Sequence, residues 1–492
     1  MKKTALLKIY SIFLLIMITG LLIVQCGTKS EIKYYRKIRF EPPNNIQGAY
    51  AIGEDLSRTV KCYRFEYDRS GRPLKIEYLE DGLVANDPDH GYATIDINYQ
   101  KNKTEWVYKD VNDLTVNYKG NYKIVFASDT DKKQVHEYHY NENGEIAVDS
   151  LGTGQYLYTL NDDGKVETAL NLDADGKPVR RLDDIYELKF AYDSTGNMIE
   201  KANIDEDGKP LEDITKVATT QFAYDQLGNM VESKFLDGNQ KVLADTYMAY
   251  DSLGYMTEVC IKDENGKLIG SDYTQWPLMR SKFDLQGNQT DISVYNADSL
   301  LVQKVKKNKK GQVLENSFFG PDEKLRVDEK TGYAKFITEY DLSGNLTRKR
   351  FLDANEHLIV PPAIGYAMIE SDYDSIGNLV EGRLYGDDGQ LLKNDFAMIK
   401  NTYDDRGNLI EFGYYGPDGK PAIRKSAGVA TIKMKYDDGG NMIETQYLDT
   451  QGKLVIPKDG NYAMIRRTFD QDGNCTEYKF FDTEGKEIPV QQ

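Results

Sequence analysis

Side chains able to perform acid–base or metal chemistry are scarce in this chain. Its 492 residues include 4 His, 4 Cys and 2 Trp, against 36 Tyr and 41 Gly. Two histidines stand close together, His136 and His139, with Glu137 between them. A zinc-peptidase motif needs two histidines four apart on one helical face, whereas a spacing of three in a strand sends the rings to opposite faces. The pair therefore predicts no metal site.

A calcium loop is the second chemical candidate. Asn171, Asp173 and Asp175, followed by Gly176, match the first half of an EF-hand loop. The twelfth position, where that loop needs Glu, is Leu182, and the sequence predicts no flanking helix. Because tight turns favour Asp and Gly without any metal, we interpret the segment as a turn and expect no cofactor.

The most regular chemical feature is an acidic column. Glutamates recur three residues after a turn Asn or its equivalent, at Glu200, Glu232, Glu258, Glu315, Glu381, Glu411, Glu444 and Glu477. A stacked row of carboxylates could gather cations or a basic ligand. Alternatively, each Glu pairs with a cation of a neighbouring strand, such as Lys400 or Lys433. The column is therefore either a ligand surface or part of the cohesion of a sheet.

Tyrosines form a second recurring feature. Tyr92, Tyr366 and Tyr462 occupy equivalent positions before Ala, in segments such as Gly365–Ile369. A row of rings on an open face would suit stacking of sugars or seating of a protein partner. Core packing and cross-strand pairing are the alternative explanation. We keep Tyr366 and Tyr462, with the glutamate column, as a candidate ligand surface.

These residues sit within an internal repeat that governs the fold. Tyr-Asp-x-x-Gly-Asn recurs with a period of about 33 residues, most clearly from Tyr192, Tyr224, Tyr373, Tyr403 and Tyr436. Alternating apolar residues before and after it predict two strands, and Asp-x-x-Gly-Asn predicts a type I turn with a bulge. A second turn of the Asp-x-x-Gly-Lys type closes each unit. No stretch of helical period follows residue 26.

The fold class expected is therefore all-β, an elongated array of antiparallel hairpins or meanders. A solenoid, an open ladder and a closed shell all fit the pattern. The array is expected over residues 61–492, with degenerate copies at 100–160, and residues 27–60 are expected to form a linker or cap.

The first 26 residues are typical of an export signal. Lys2, Lys3 and Lys8 precede an apolar run from Ile9 to Val24. Leu22–Cys26 resembles the lipobox of bacterial lipoproteins, which implies lipidation of Cys26. Gln25 replaces the small residue of that pattern, so an uncleaved anchor is the alternative. We expect an exported protein attached to a lipid bilayer, on the periplasmic face or the cell surface.

The repeat around Phe190–Met198 resembles the tyrosine-aspartate repeats of the RHS/YD family. That resemblance implies strands that spiral into β shells, as in bacterial toxins and surface proteins. The period here is longer than in that family, and we expect no autoproteolytic core or toxin domain after the repeats. The toxin role is therefore not carried over.

Charge and motifs narrow the functional classes. A formal net charge of −17 argues against nucleic-acid binding, which needs a basic face. No nucleophile elbow, P-loop or dinucleotide motif is present. We expect a non-enzymatic cell-envelope lipoprotein whose array is an interaction or structural surface with an unidentified protein or glycan partner. The alternatives are a polysaccharide-binding module that uses the aromatic columns, and a toxin-related shell or unrecognised enzyme.

Overall fold

The computed structural model describes residues 31–118, 121–270, 276–393, 395–470 and 472–489. These residues form antiparallel β-strands and a single helical turn, which confirms the all-β prediction. The strands are β1 (Glu31–Glu41), β2 (Asn45–Ile52), β3 (Cys62–Tyr67), β4 (Pro73–Glu80), β5 (Leu83–Val84), β6 (Thr94–Gln100), β7 (Lys103–Lys109), β8 (Lys123–Asp129), β9 (Gln134–Tyr140), β10 (Gln155–Leu160), β11 (Val166–Leu172), β12 (Glu187–Tyr192), β13 (Met198–Ile204), β14 (Thr219–Tyr224), β15 (Met230–Leu236), β16 (Val242–Tyr250), β17 (Met256–Lys262), β18 (Leu278–Phe283), β19 (Gln289–Tyr295), β20 (Leu301–Lys307), β21 (Val313–Phe318), β22 (Lys335–Tyr340), β23 (Leu346–Leu352), β24 (Met368–Tyr373), β25 (Leu379–Tyr385), β26 (Met398–Tyr403), β27 (Leu409–Tyr415), β28 (Thr431–Tyr436), β29 (Met442–Leu448), β30 (Met464–Phe469), β31 (Cys475–Phe481) and β32 (Glu487–Ile488).

The strands belong to one 32-stranded sheet, and no pairing between described strands closes it. Packing divides the chain into two compact units. The first runs to Met256 and adds Lys262–Gly266 and Leu285–Gly287, and the second contains the remaining residues. No described residues form a helix long and apolar enough to cross a membrane.

One short helical segment lies among the described strands. Glu54–Ser57 forms a four-residue helical turn, α1, in which the amide of Ser57 donates to the carbonyl of Gly53. A segment this short cannot show the 3.6-residue hydrophobic period, so pattern analysis misses it.

The turn after each Tyr-Asp pair, here called the YD turn, has the conformation that its sequence predicts. At Asp193–Asn197, the carboxylate of Asp193 accepts hydrogen bonds from the amides of Thr195 and Asn197, both at 2.9 Å. Gly196 takes φ of +88°, which L side chains rarely adopt. The register between β12 and β13 shifts at Ala191/Tyr192, as a bulge requires. Each YD turn thus joins two strands as a tight, bulged hairpin.

The second turn of the repeat returns the chain beside the strand it has just left. In the copy that contains β29, Asp449 accepts hydrogen bonds from the amides of Gln451 and Lys453, and Gly452 has φ of +76°. The apolar stretch that follows makes only an isolated bridge, Leu448 to Leu454. The repeat therefore has two strands and a bridge, at the lower end of the two or three strands expected.

Small and aromatic side chains fill the core of each unit. In the first unit, Phe65, Ile76, Tyr108 and Phe126 are at most 1% exposed and lie in one apolar cluster. In the second unit, alanines that precede the first strand of a repeat are fully buried, and they are Ala334, Ala367, Ala397, Ala430 and Ala463. The amide of Ala430 donates to the carbonyl of Leu448 in its own hairpin, and its carbonyl accepts from the amide of Tyr414 in the preceding hairpin, both at 2.8 Å, so this alanine links the two.

Candidate functional site

The glutamate column lies opposite cations of neighbouring strands. Lys400 stands across from Glu381 at 2.9 Å, and Lys433 across from Glu411 at 3.1 Å, as the cohesion alternative predicts. The other candidates also have polar partners: Glu200 accepts from Gln221, Glu232 pairs with Lys234, and Glu477 pairs with Lys479. Each of these carboxylates thus has a polar partner, which is a cation except at Glu200, where it is the neutral amide of Gln221.

Glu444 is the most buried member of the column, with its side chain 7% exposed. Lys435 lies 2.8 Å and Arg466 2.7 Å from its carboxylate oxygens. Burial alone would raise the pKa of Glu444, but hydrogen bonds from these two cations outweigh it and lower the pKa. The carboxylate is therefore held as a buried anion between β28 and β30, which gives it a role in cohesion of the sheet.

The candidate tyrosines pack against other rings. Tyr366 lies with its ring centroid 6.0 Å from that of Phe351, and Tyr462 lies 4.8 Å from Phe480. Both tyrosines are half-buried, whereas their equivalent Tyr92 is 2% exposed. Part of each ring therefore serves packing, and an edge of Tyr366 and of Tyr462 remains accessible.

The side chains of the two metal-like motifs contact different neighbours. His136 stacks on Tyr138, while His139 contacts Glu137 on the other face of β9. Asn171 is fully buried and donates to the carbonyls of Ile185 and Tyr186, so it does not join the turn carboxylates. Among the described residues, no group of three or more His, Cys, Asp or Glu side chains could hold a metal ion. Cys26 lies outside the described residues.

The feature that sequence reasoning missed is the N-terminal hairpin, formed by β1 and β2 at residues 31–52. Its side chains contact YD turns of the first unit: Arg39 donates to the carbonyl of Leu227 at 2.9 Å, and Tyr50 donates to the side-chain oxygen of Asn229 at 2.6 Å. Lys37 donates to the carbonyl of Gly254. Ile46 of β2 also anchors the hairpin to the core, because this side chain is 3% exposed and lies within the apolar cluster.

Turn glycines allow the N-terminal hairpin to lie this close. A Cβ at Gly228 would meet the guanidinium of Arg39 at 2.7 Å, and one at Gly254 would meet the ring of Tyr50 at 2.3 Å. Around Gly407 and Gly440, in YD turns of the second unit, there is open space. The glycine needed for positive φ thus also provides room for contact in the first unit.

A local shift in composition could have indicated this hairpin. The chain has 62 basic and 79 acidic residues overall, yet residues 31–41 carry Lys33, Arg36, Lys37 and Arg39 against Glu31 and Glu41. A cluster of basic residues in one strand of an acidic protein suggests an element that faces acidic turns. The local sequence does not indicate which turns the hairpin contacts.

No family model and no curated protein matches the chain. Solved structures resemble it at low identity. One is the Tc holotoxin pore of Photorhabdus luminescens, with 11% identity over 92% of this chain and 26% of that chain at a TM-score of 0.27. A TcdB2-TccC3-Cdc42 crystal structure shows 12% identity over 92% and 29% at a TM-score of 0.21.

A putative 6-phosphogluconolactonase from Bacteroides fragilis also resembles the chain, with 12% identity over 72% of this chain and 98% of that one at a TM-score of 0.10. The chain spans only 26% to 29% of the length of the two toxin chains. Similarities of this size support no transfer of activity or partner.

Proposed function

We propose that this chain is a non-enzymatic cell-envelope lipoprotein whose β-repeat array is an interaction or structural surface. The observation that supports it best is that the repeated Asp and Glu side chains are engaged in bonds within the array. The turn aspartates bond to their own turns, and the column glutamates pair with Lys, Arg or Gln, mostly of adjacent strands. Residues repeated in this way serve cohesion along a surface, whereas a catalyst concentrates unlike groups at one place.

Attachment to a membrane is supported by the sequence of the first 26 residues. The basic start, the apolar run and Cys26 together resemble a lipoprotein signal, from which Gln25 departs. A single acyl chain binds membranes only marginally, so stable anchoring needs more than one chain or a further membrane contact.

Lipidation can be tested in a bacterial host supplied with an alkyne analogue of palmitate. We expect the full-length chain to be labelled and to sediment with membranes, and Cys26→Ser to lose the label. Cys475→Ser is the matched control, because it removes a thiol outside the signal, and Cys475 is only partly buried. An unlabelled native chain that still sediments with membranes would contradict lipidation and favour an uncleaved anchor.

The non-enzymatic part of the proposal is tested by incubating the purified chain with glycan and peptide substrate panels. We expect no turnover. Turnover that Glu444→Gln or another single carboxylate substitution abolishes would contradict it.

Polysaccharide binding is the second candidate function. It is favoured by a pocket beneath the N-terminal hairpin, where aromatic rings and cations line one cavity.

A further inference from the structure

A cavity of about 400 Å³ lies in the first unit, between the end of β1 and the YD turns that it crosses. Ligand sites in proteins commonly have about 300–1,000 Å³. We propose that this cavity, the hairpin pocket, binds an acidic sugar, meaning a pyranose that bears a carboxylate. The inference rests on the proposed binding role of the array and does not depend on lipidation.

Three tyrosines from consecutive repeats line one side of the hairpin pocket: Tyr192, Tyr224 and Tyr250. Each is the Tyr of a Tyr-Asp pair, so the repeat itself brings the rings to one place. Burial raises the pKa of Tyr192 to about 12. Aromatic side chains of this kind combine an apolar face with a polar tip, the combination that suits a sugar ring.

Two of these tyrosines lack a hydrogen bond that their equivalents make. The hydroxyls of Tyr373, Tyr403 and Tyr436 donate to a backbone carbonyl of the preceding repeat, each at 3.0 Å. The hydroxyls of Tyr192 and Tyr224 make no such bond with any described residue. Half-buried hydroxyls without a protein partner are donors available to a ligand.

Cations outnumber carboxylates on the pocket walls, although the whole chain is acidic. Lys37, Arg39 and Lys165 line the pocket, with Glu41 as the one acidic lining residue. Lys37 and Arg39 already donate to turn carbonyls of the array. Lys165 is less engaged, because its Nζ lies 4.0 Å from Glu41 and 5.9 Å from the ring centroid of Tyr192. A ligand carboxylate would therefore pair chiefly with Lys165.

The three tyrosines and the cations of the hairpin pocket together favour an acidic sugar over a peptide carboxylate as the ligand. A peptide side chain offers the charge, but its flexible stem presents no rigid ring to three tyrosines. A pyranose presents both a face and several hydroxyls, which Tyr192 and Tyr224 can engage. The carboxylate supplies the charge that Lys165 requires.

Isothermal titration of the full-length chain with trigalacturonate tests the proposal, with maltotriose as the neutral probe. We expect trigalacturonate to bind and maltotriose to bind at least about tenfold more weakly, since the latter cannot form the charge-assisted contact. Lys165→Gln should weaken trigalacturonate binding about tenfold, and the double substitution Tyr192→Phe, Tyr224→Phe about fivefold. Lys209→Gln, an exposed lysine in a second turn, is the matched control and should leave binding unchanged.

Near-UV circular dichroism of each variant verifies that the fold is retained. The proposal is overturned by absence of trigalacturonate binding at millimolar concentration, by equal binding of maltotriose, or by equal binding to Lys165→Gln. Binding of a glutamate-rich peptide in preference to trigalacturonate also overturns it, in favour of a peptide ligand. Cys26→Ser binds trigalacturonate normally if the pocket is correct, whatever the outcome of the lipidation experiment.

Discussion

The aspartate of each YD turn is an anion held by the turn that it closes. At Asp193, the hydroxyl of Thr195 and the side-chain and backbone amides of Asn197 donate to the carboxylate and lower its pKa to about 2. The pKa is lowered at the same position in other copies, at Asp225, Asp341, Asp374, Asp404, Asp437 and Asp470. In these copies Asp therefore acts as a charged acceptor, whereas Asn161 and Asn308 accept the equivalent amide hydrogen bonds as neutral side chains.

The lowered pKa values of these aspartates predict that the fold loses stability as the pH falls. A carboxyl whose folded-state pKa lies below its ordinary value of 3.8 stabilises the fold above that value, and the contribution is lost as pH falls towards about 2. We expect the urea midpoint of the chain to fall between pH 4 and pH 2, and Asp193→Asn to reduce that dependence slightly. Asp207→Asn, at an exposed carboxylate, is the control. A midpoint independent of pH across this interval would contradict the role assigned to the turn carboxylates.

At the scale of the element, the tyrosine of the YD pair joins one hairpin to the previous one. The hydroxyl of Tyr436 at the end of β28 donates to the carbonyl of Leu409, the first residue of β27. Tyr340 and Tyr250 make the same contact with Val313 and Met230. Backbone hydrogen bonds and these tyrosine hydroxyl bonds therefore both hold one hairpin to the preceding one.

Removing one of these hydroxyls should have a measurable cost. Tyr436→Phe keeps the ring but leaves the carbonyl of Leu409 without this donor, so we expect a loss of about 1 kcal/mol in the free energy of unfolding, measured by urea denaturation. Tyr366→Phe is the matched control, since Tyr366 is also half-buried but its hydroxyl makes no hydrogen bond with a described residue. Equal losses in the two variants would show that the hydroxyl bond does not contribute.

At the scale of the whole molecule, the N-terminal hairpin adds contacts that the repeat alone does not provide. Arg36 reaches the hydroxyl of Tyr255 at 3.0 Å and the carbonyl of Leu285 at 3.4 Å, 219 and 249 residues away in sequence. Such contacts close long loops, and the entropy of loop closure rises only slowly with loop length. A single short hairpin can therefore secure several repeats of the first unit.

Two glycines with the same backbone conformation test the hairpin contact. Gly254 and Gly440 both have φ of +85°, but a Cβ meets the ring of Tyr50 only at Gly254. We expect Gly440→Ala to cost about 1–2 kcal/mol from the positive φ alone, and Gly254→Ala to cost more. Hydrogen exchange of the amides of β1 and β2 should accelerate only in Gly254→Ala. Unchanged exchange in that variant would contradict close seating of the hairpin.

Much of the fold follows from local sequence. The period of about 33 residues, the alternation in the strands and the Asp and Gly of each turn predicted hairpins that the structure contains. The pairing of Glu381 with Lys400 was one of two alternatives that the sequence offered, but the YD turn places Asp372 and not Lys400 across its own hairpin from Glu381, so the structure decided this register.

Only the tertiary structure decided which surfaces come together across the chain. The contact of Tyr50 with Asn229 spans 179 residues, and no periodic signal specifies it. The hairpin pocket arises from that contact, because its tyrosines belong to the repeat and two of its cations to β1. The sequence by itself determined the repeating unit, because hydrogen bonding and side-chain alternation act between near neighbours. The position of the N-terminal hairpin depends on shape and charge matching between distant segments, which local patterns do not encode.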